Sequence, residues 1–135
     1  MNHVRLAALP LVLFAFGACS STAPYPVHAI EDDAELTSTV VAGEASLQAV
    51  VRAGRARLDR VADNRLKVTV PIRNIDSRQI QVLAQITWMD RQHVTLSDES
   101  NRQVMTIPAG GIVEFASTSR SDAAQTYVVR LFWNK

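Results

Sequence analysis

Few side chains in this chain of 135 residues have the reactivity that catalysis or metal binding requires. The chain has one cysteine and three histidines, and two of the histidines, His28 and His93, stand far apart in sequence. Asp90, His93 and Ser97 share one polar stretch, but catalytic triads are built from residues that converge in space, not along a loop. A metal site likewise needs several convergent ligands. The sequence therefore predicts no enzyme activity, no metal site and no other cofactor.

The one cysteine, Cys19, stands at the end of an apolar segment. Residues 1–18 contain the apolar run Leu6–Phe16, which is too short to span a bilayer and is typical of a signal peptide. The small residues Gly17 and Ala18 before the cysteine resemble a bacterial lipobox. We therefore expect cleavage after residue 18 and a thioether-linked lipid anchor on Cys19. The alternative is an ordinary secretory signal with an incidental thiol, but a cysteine without a second one has no disulfide partner.

The residue after the cysteine bears on the location of the anchor. Ser20 stands there, and by resemblance to lipoprotein sorting in enteric bacteria this predicts the outer membrane, with the domain facing the periplasm. Loss of Arg5 with the signal peptide lowers the 14 Lys and Arg residues by one, to the same number as the 13 Asp and Glu residues. The predicted mature chain is therefore neutral, which argues against nucleic-acid binding.

Basic residues are concentrated in one part of the chain. Residues 52–78 hold eight Lys and Arg residues against three Asp residues. Strand alternation predicts that four of them share the outer face of one hairpin: Arg55, Arg57, Lys67 and Arg73. Their shared charge makes these four the candidate partner-binding residues. Guanidinium groups suit carboxylates and phosphates, so the candidate ligands are acidic protein surfaces, peptidoglycan carboxylates and anionic lipid headgroups. The alternative role is solubility and protection of an edge strand from aggregation.

The elements that position these residues are predicted to be strands. The clearest is Arg78–Asp90, where apolar and polar residues alternate, with Leu83 as the exception on the polar side. We interpret it as a central strand with one face on a core. Further strands are predicted over Leu36–Ala42, Arg55–Val61, Arg65–Asn74, Arg102–Pro108, Ile112–Ser119 and Thr126–Asn134, and Gly43–Ala53 is predicted as irregular to strand.

Several details of the strands are predicted as well. Ala56 and Leu58 are expected to point inward, and residues 55–90 to form a three-stranded meander. Pro71 cannot donate to a sheet, so its strand is an edge there or carries a bulge. The last strand has apolar residues on both faces and is expected to be buried more fully than the others. Both tryptophans, Trp88 and Trp133, are expected in the core.

Together these elements predict an all-β fold, an immunoglobulin-like antiparallel β-sandwich of six to seven strands over residues 36–135. Residues 19–35 are predicted to form a flexible tether, because this stretch contains Pro24, Pro26 and an acidic cluster and has no periodicity. At about 3.1 Å per residue, the 15 residues Ser20–Ala34 of this tether reach up to roughly 45 Å from the membrane.

Three segments of the chain resemble the YcfL-like family of small bacterial envelope lipoproteins: ITWMDRQ at Ile86–Gln92, MTIPAGG at Met105–Gly111 and VVRLFW at Val128–Trp133. The lipobox adds to this resemblance. Met89 departs from the family pattern where an aromatic residue is common, and His93 departs where glycine is common. The resemblance implies an immunoglobulin-like sandwich with no established catalytic activity.

These observations predict a non-enzymatic, lipid-anchored periplasmic interaction module of the bacterial cell envelope. It would be an accessory subunit of a cell-wall or trans-envelope assembly, with the outer membrane and an envelope protein complex as its partners. The alternative is a sandwich that binds peptidoglycan or anionic lipid without a protein partner.

Overall fold

Two packed β-sheets make up the part of the chain that the computed structural model describes, residues 24–30, 39–98, 100 and 102–135. The predicted all-β sandwich is confirmed, and the described residues form nine strands in place of the predicted six to seven. The strands are β1 (Tyr25–Pro26), β2 (Val40–Ala42), β3 (Val51–Ala53), β4 (Arg57–Val61), β5 (Arg65–Asn74), β6 (Ile80–Met89), β7 (Gln103–Ile107), β8 (Ile112–Thr118) and β9 (Thr126–Trp133). The predicted signal peptide over residues 1–18 and Cys19 lie outside the described residues.

The first sheet has five strands in the order β1-β2-β9-β6-β7. The strand β6 is hydrogen-bonded on both sides, as predicted for a central strand, and Val82, Ala84 and Ile86 are buried on its inner face. The pairing of β2 with β9 is parallel, so the expectation of an entirely antiparallel sandwich is wrong for this pair. A parallel pair is possible because a long connection separates the two strands in sequence.

The second sheet is built around β5, which pairs with β3 and β4 along one side and with β8 along the other. On the first side, β3 ends opposite Ile72 and β4 begins opposite Thr69. Pro71 lies at this gap, where a missing N–H leaves no ladder bond unmade. The predicted edge is therefore right for this one position, although β5 as a whole is central.

The predicted three-stranded meander over residues 55–90 is wrong. The strands β4 and β5 form a hairpin, but β5 and β6 belong to different sheets. The chain crosses between the sheets next to Asn74, whose buried Nδ2 donates to the carbonyl oxygens of Arg78 at 2.7 Å and Ile107 at 3.1 Å. The amide thereby joins this crossover to the turn between β7 and β8, a contact that alternation of residues cannot reveal.

Helix α1 (Ala45–Val50) occupies most of the segment predicted as irregular to strand. Only the last three residues of that predicted segment form a strand, β3. Leu47 is the buried residue of the helix and belongs to the core. Its spacing to Val50 and Val51 is helical, but a segment this short gives a weak periodic signal.

Two expectations of burial are wrong, because the direction of a side chain does not ensure that another layer covers it. Leu58 of β4 lies directly opposite Val68 and shares its inner side, yet Leu58 is 54% exposed because β4 is an edge strand. In β9, Tyr127, Val129 and Leu131 are buried, whereas Val128 and Phe132 are half-buried on the outer side. Within the described residues, no further sheet packs on the second apolar face of β9.

The tether prediction is wrong for residues 24–30. Strand β1 pairs with β2, and Val27 is fully buried in the core. Ile30 donates its N–H to the carbonyl oxygen of Ala53 at 3.0 Å. Residues 31–35 of the predicted tether lie outside the described residues. The domain therefore begins near residue 24, about a dozen residues before the predicted boundary.

The core lies between the two sheets. Val68, Val70, Ile72 and Phe115 come from the four-stranded sheet, and Trp88 and Leu131 come from the five-stranded sheet. The Trp88 and Tyr127 rings pack at 6.4 Å between centroids. In the described ranges, no helix has both the length and the apolar character needed to cross a membrane.

Candidate functional site

The outer face of the four-stranded sheet carries most of the predicted partner-binding residues. Leu66, Val68 and Ile72 of β5 are buried, so the alternate residues Lys67 and Arg73 point away from the core. Arg57 lies directly opposite Thr69 and shares that outer side. The cross-strand register therefore brings Arg57, Lys67 and Arg73 onto one face, as predicted.

Arg55 is placed differently from the prediction. It precedes β4 and lies in the three-residue connection between β3 and β4, so it is not on the hairpin. Its side chain is exposed but already takes part in an interaction. The strand was expected to begin at residue 55, and the interruption opposite Pro71 shortens it. Arg55 therefore borders the face without belonging to it.

Two further cations on this face were not among the predicted binding residues. Arg52 lies opposite Arg73, and Arg65 lies opposite Val61. We call the surface formed by Arg52, Arg57, Arg65, Lys67 and Arg73 the basic face. Its acidic residues are Asp59, opposite Lys67, and Glu114, opposite Pro71. Counted over the described residues, five cations against two anions give the face a positive charge.

The cations of the basic face differ in the hydrogen bonds and ion pairs that they form within the protein. Arg52 donates to the carbonyl oxygen of Val51 at 2.7 Å, and Arg65 donates to that of Ala62 at 3.2 Å. Arg57 forms an ion pair with Glu114 at 3.6 Å, and an exposed pair of this kind contributes about 0–1 kcal/mol. Within the described part of the chain, Lys67 and Arg73 take part in no ion pair, so they are the cations most available to a ligand.

The geometry of the basic face suits an extended ligand. Lys67 and Arg73 are six residues apart on one strand, which corresponds to about 20 Å at roughly 3.3 Å per residue. That separation exceeds the size of one carboxylate or phosphate group. The cations are spread along and across the face of a sheet, so the surface suits several acidic groups of a partner better than one small molecule.

The outer face of the five-stranded sheet has a different character. Its register places Val104, Leu83 and Phe132 side by side across β7, β6 and β9. The Arg102 guanidinium carbon lies 4.5 Å from the centroid of the Phe132 ring, a cation–π contact. We call Leu83, Val104, Phe132 and the flanking Arg102 and Arg130 the aromatic face.

A shallow cavity of about 310 Å³ adjoins the aromatic face where β1, β2 and β9 meet. Pro24, Gly43, Arg130 and Phe132 are among its lining residues. A Cβ atom at Gly43 would lie 2.8 Å from Cδ1 of Phe132, so glycine is what allows the ring to lie against the chain. The sequence contained one signal for this surface, the exceptional Leu83, but strand pairing alone places it beside Phe132.

In the polar stretch that contains Asp90, His93 and Ser97, Asp90 has a structural role. One carboxylate oxygen of Asp90 accepts the N–H groups of Gln92 at 2.9 Å and Val94 at 3.0 Å. His93 is exposed and has a positive φ of 60° in the turn that Asp90 closes. Among the described residues, no three His, Cys, Asp or Glu side chains group as a metal site.

The tryptophans are placed unequally. Trp88 is buried in the core as expected. Trp133 packs against the core but is only partly buried, and its Nε1–H donates to the hydroxyl oxygen of Ser46 at 2.9 Å. Burial raises the pKa of Tyr127, which packs on Trp88, although a hydrogen bond with Thr39 works in the opposite direction.

Comparisons with known proteins identify the fold. No protein-family model and no curated protein matches the sequence. The crystal structure of Campylobacter jejuni cj0090 is similar with a TM-score of 0.58 and 18% identity, over 71% of this chain and 98% of that chain. A DUF1425 family member from Shewanella sp. pv-4 is similar with a TM-score of 0.54 and 13% identity, over 60% of this chain and 75% of that chain. The chain therefore has a DUF1425-type β fold.

Proposed function

We propose that this chain is a non-enzymatic, lipid-anchored interaction module of the bacterial cell envelope, and that its basic face binds an acidic surface of an envelope protein. The observation that carries the proposal is the register of β5 with its neighbours. It gathers five cations on one solvent-exposed side of the sheet. None of these cations is needed to fill the core, because the inner side of β5 does that with Leu66, Val68, Val70 and Ile72.

The membrane part of the proposal rests on the sequence. The apolar run that ends at Gly17 and Ala18 before Cys19 has the form of a lipoprotein signal, and Ser20 favours the outer membrane with the domain in the periplasm. The resemblance to YcfL-like envelope lipoproteins supports the same location, and a DUF1425-type fold is consistent with it. The scarcity of reactive side chains supports a role in binding.

Peptidoglycan is the second candidate ligand, because its carboxylates would suit the same guanidinium and ammonium groups. A polymer strand is extended, and the roughly 20 Å between Lys67 and Arg73 suits repeated acidic groups as well as a protein surface. The two ligands differ in one respect that can be measured. A protein partner survives digestion of the cell wall, whereas binding to peptidoglycan does not.

The test is crosslinking of the full-length protein in cells, followed by affinity capture and mass spectrometry, with and without digestion of the wall. The variant is Lys67→Glu/Arg73→Glu, since neither side chain has an ion pair to lose within the described residues. The control is Arg78→Glu/Arg91→Glu, which reverses two exposed cations in turns outside the basic face. The control keeps the change in net charge the same.

We expect one discrete envelope protein to be captured by the natural chain and the control, and to be lost from the Lys67→Glu/Arg73→Glu variant. Capture that disappears with the wall would assign the basic face to peptidoglycan. Equal capture of the same protein by both variants would show that the basic face is not the binding surface.

A further inference from the structure

The corrected start of the domain shortens the connection to the proposed lipid anchor, on which this inference rests. Only residues 20–23 separate Cys19 from Pro24, the first described residue of the domain. Five residue steps span at most about 18 Å, since a fully extended chain advances roughly 3.3–3.6 Å per residue. The reach predicted from a longer tether was roughly 45 Å. The domain must therefore stay next to the membrane.

The aromatic face is the surface beside this attachment point. Pro24 lines the same cavity as Phe132 and Arg130. The row continues from Phe132 through Leu83 to Val104, across two further strand spacings of about 4.8 Å each. Val104, at the far end of the row, is therefore only about 10 Å beyond Phe132. This is less than the roughly 18 Å that the connection to Cys19 can span.

The composition of the aromatic face matches a lipid headgroup boundary. Val104 is 58% exposed, and Leu83 and Phe132 are half-buried, so the row presents apolar surface outside the core. Arg102 lies over the Phe132 ring, and Arg130 lines the cavity beside it. Apolar and aromatic side chains flanked by arginine are the composition of segments that lie in a membrane interface, where guanidinium groups meet lipid phosphates.

We propose that the aromatic face docks on the phospholipid surface in which Cys19 is anchored. Phe132, Leu83 and Val104 contact the headgroup boundary, and Arg102 and Arg130 lie at the level of the phosphates. Because the two sheets pack face to face, their outer sides point in opposite directions. Docking of the aromatic face therefore turns the basic face away from the membrane, toward the space where a protein partner is found.

The test compares two positions on either side of the turn between β7 and β8, one on each sheet. Val104 is 58% exposed on the five-stranded sheet, and Ile112 is 53% exposed on the outer side of the four-stranded sheet, opposite Arg73. Each is replaced by cysteine in the acylated mature protein and labelled with nitrobenzoxadiazole. The natural Cys19 thiol is consumed by the anchor, so only the introduced cysteine reacts. The vesicles contain three parts phosphatidylethanolamine to one part phosphatidylglycerol, with a headgroup spin label as quencher.

We expect several-fold stronger quenching at position 104 than at position 112. Equal quenching would mean that the domain has no preferred face, and stronger quenching at position 112 would mean that the basic face contacts lipid. Either result overturns the docking proposal and leaves the anchor standing. A mass that lacks acyl chains on Cys19 would instead refute the anchor of the proposed function, and this inference with it.

A second measurement separates docking from an effect of the label. The label is moved to Thr106, which lies on the same outer side as Val104, opposite Gln81. We expect Val104→Asp to lower quenching at position 106 several-fold, because a carboxylate opposes insertion and repels lipid phosphates. The matched change Ile112→Asp should leave that quenching unaltered. The same decrease with both variants, or with neither, would contradict the assignment of the aromatic face.

Discussion

Asn74 shows how much of the fold depends on one buried polar side chain. Its Nδ2 donates to the carbonyl oxygens of Arg78, Ile107 and Pro108, and its Oδ1 accepts the N–H of Asp76 at 2.8 Å. Buried carbonyl groups need such partners, because an unmade hydrogen bond costs about 1–3 kcal/mol. The crossover between the sheets and the turn between β7 and β8 are therefore joined through one amide.

We predict that Asn74→Ala lowers the free energy of unfolding by about 2–4 kcal/mol, since several backbone groups lose their partner at once. The measurement is urea unfolding followed by circular dichroism. Asn134→Ala is the control, because the Asn134 amide donates to Gln81 at an exposed position. A loss of similar size in both variants would mean that burial of the amide is not the cause.

The raised pKa of Tyr127 predicts that the free energy of unfolding decreases at alkaline pH. Burial raises its pKa above the ordinary value of 10.0, so the unfolded chain releases the phenol proton at a lower pH than the folded chain. The contribution to stability is fully present below the unfolded pKa and is lost as pH rises through the folded pKa. Tyr127→Phe should reduce this alkaline loss, as measured by urea unfolding below and above pH 10.0. An unchanged alkaline slope would contradict the assignment to Tyr127.

The edge strand β4 shows that strand alternation gives direction but not burial. Leu58 and Leu66 lie on the same inner side of one hairpin, yet only Leu66 is buried. We predict that Leu66→Ala lowers the free energy of unfolding by about 2–5 kcal/mol, and that Leu58→Ala changes it by no more than about 0.5 kcal/mol. Thermal and urea unfolding of the two variants compare them directly. Similar losses would place a covering layer over β4.

The end of β3, the start of β4 and the position of Pro71 in β5 depend on one another. The gap between β3 and β4 allows a proline in a central strand, and Gly54 donates its N–H across the gap to the Pro71 carbonyl oxygen at 2.8 Å. A Cβ atom at Gly54 would lie 2.5 Å from Cγ of Pro71, so the crossing chain needs glycine at this point. The gap also shortens β4, which is why Arg55 leaves the basic face while Arg57 stays on it.

At the scale of the whole molecule, charge is distributed unevenly. The predicted mature chain is neutral, but Glu31, Asp32, Asp33 and Glu35 supply four of its 13 acidic residues within one short stretch. The rest of the mature chain is correspondingly basic. Overall charge therefore says little about either face of the sandwich, and the exclusion of nucleic acid stays a prediction based on the balance of the whole mature chain.

The short connection to Cys19 is expected to help orient the aromatic face toward the membrane. Insertion of a long Gly–Ser segment between Ala23 and Pro24 lowers the effective concentration of the aromatic face at the membrane. We expect the difference in quenching between labels at positions 104 and 112 to shrink in this variant, while the protein stays bound to vesicles. An equally long insertion after Asp63, in the exposed turn between β4 and β5, is the control and should preserve the difference. An undiminished difference in the first variant would show that the face binds without help from the anchor.

The sequence by itself determined the strands with long alternation. Residues 78–90 and 65–74 contain enough repeats of period two to give both the strand and its inward side, and the same alternation predicted that Arg57, Lys67 and Arg73 share a face. Local signals of this kind are carried by residues within one or two strands. They hold because side-chain direction is fixed by the backbone pleat.

Tertiary structure decided which strand lies beside which, and that pairing is not encoded in alternation. It placed β5 and β6 in different sheets, left Leu58 exposed, drew residues 24–30 into the domain and joined Leu83, Val104 and Phe132 in one row. Each of these outcomes depends on contacts between residues far apart in the chain. Burial depends on what lies above a face, and a sequence pattern gives only the direction in which that face points.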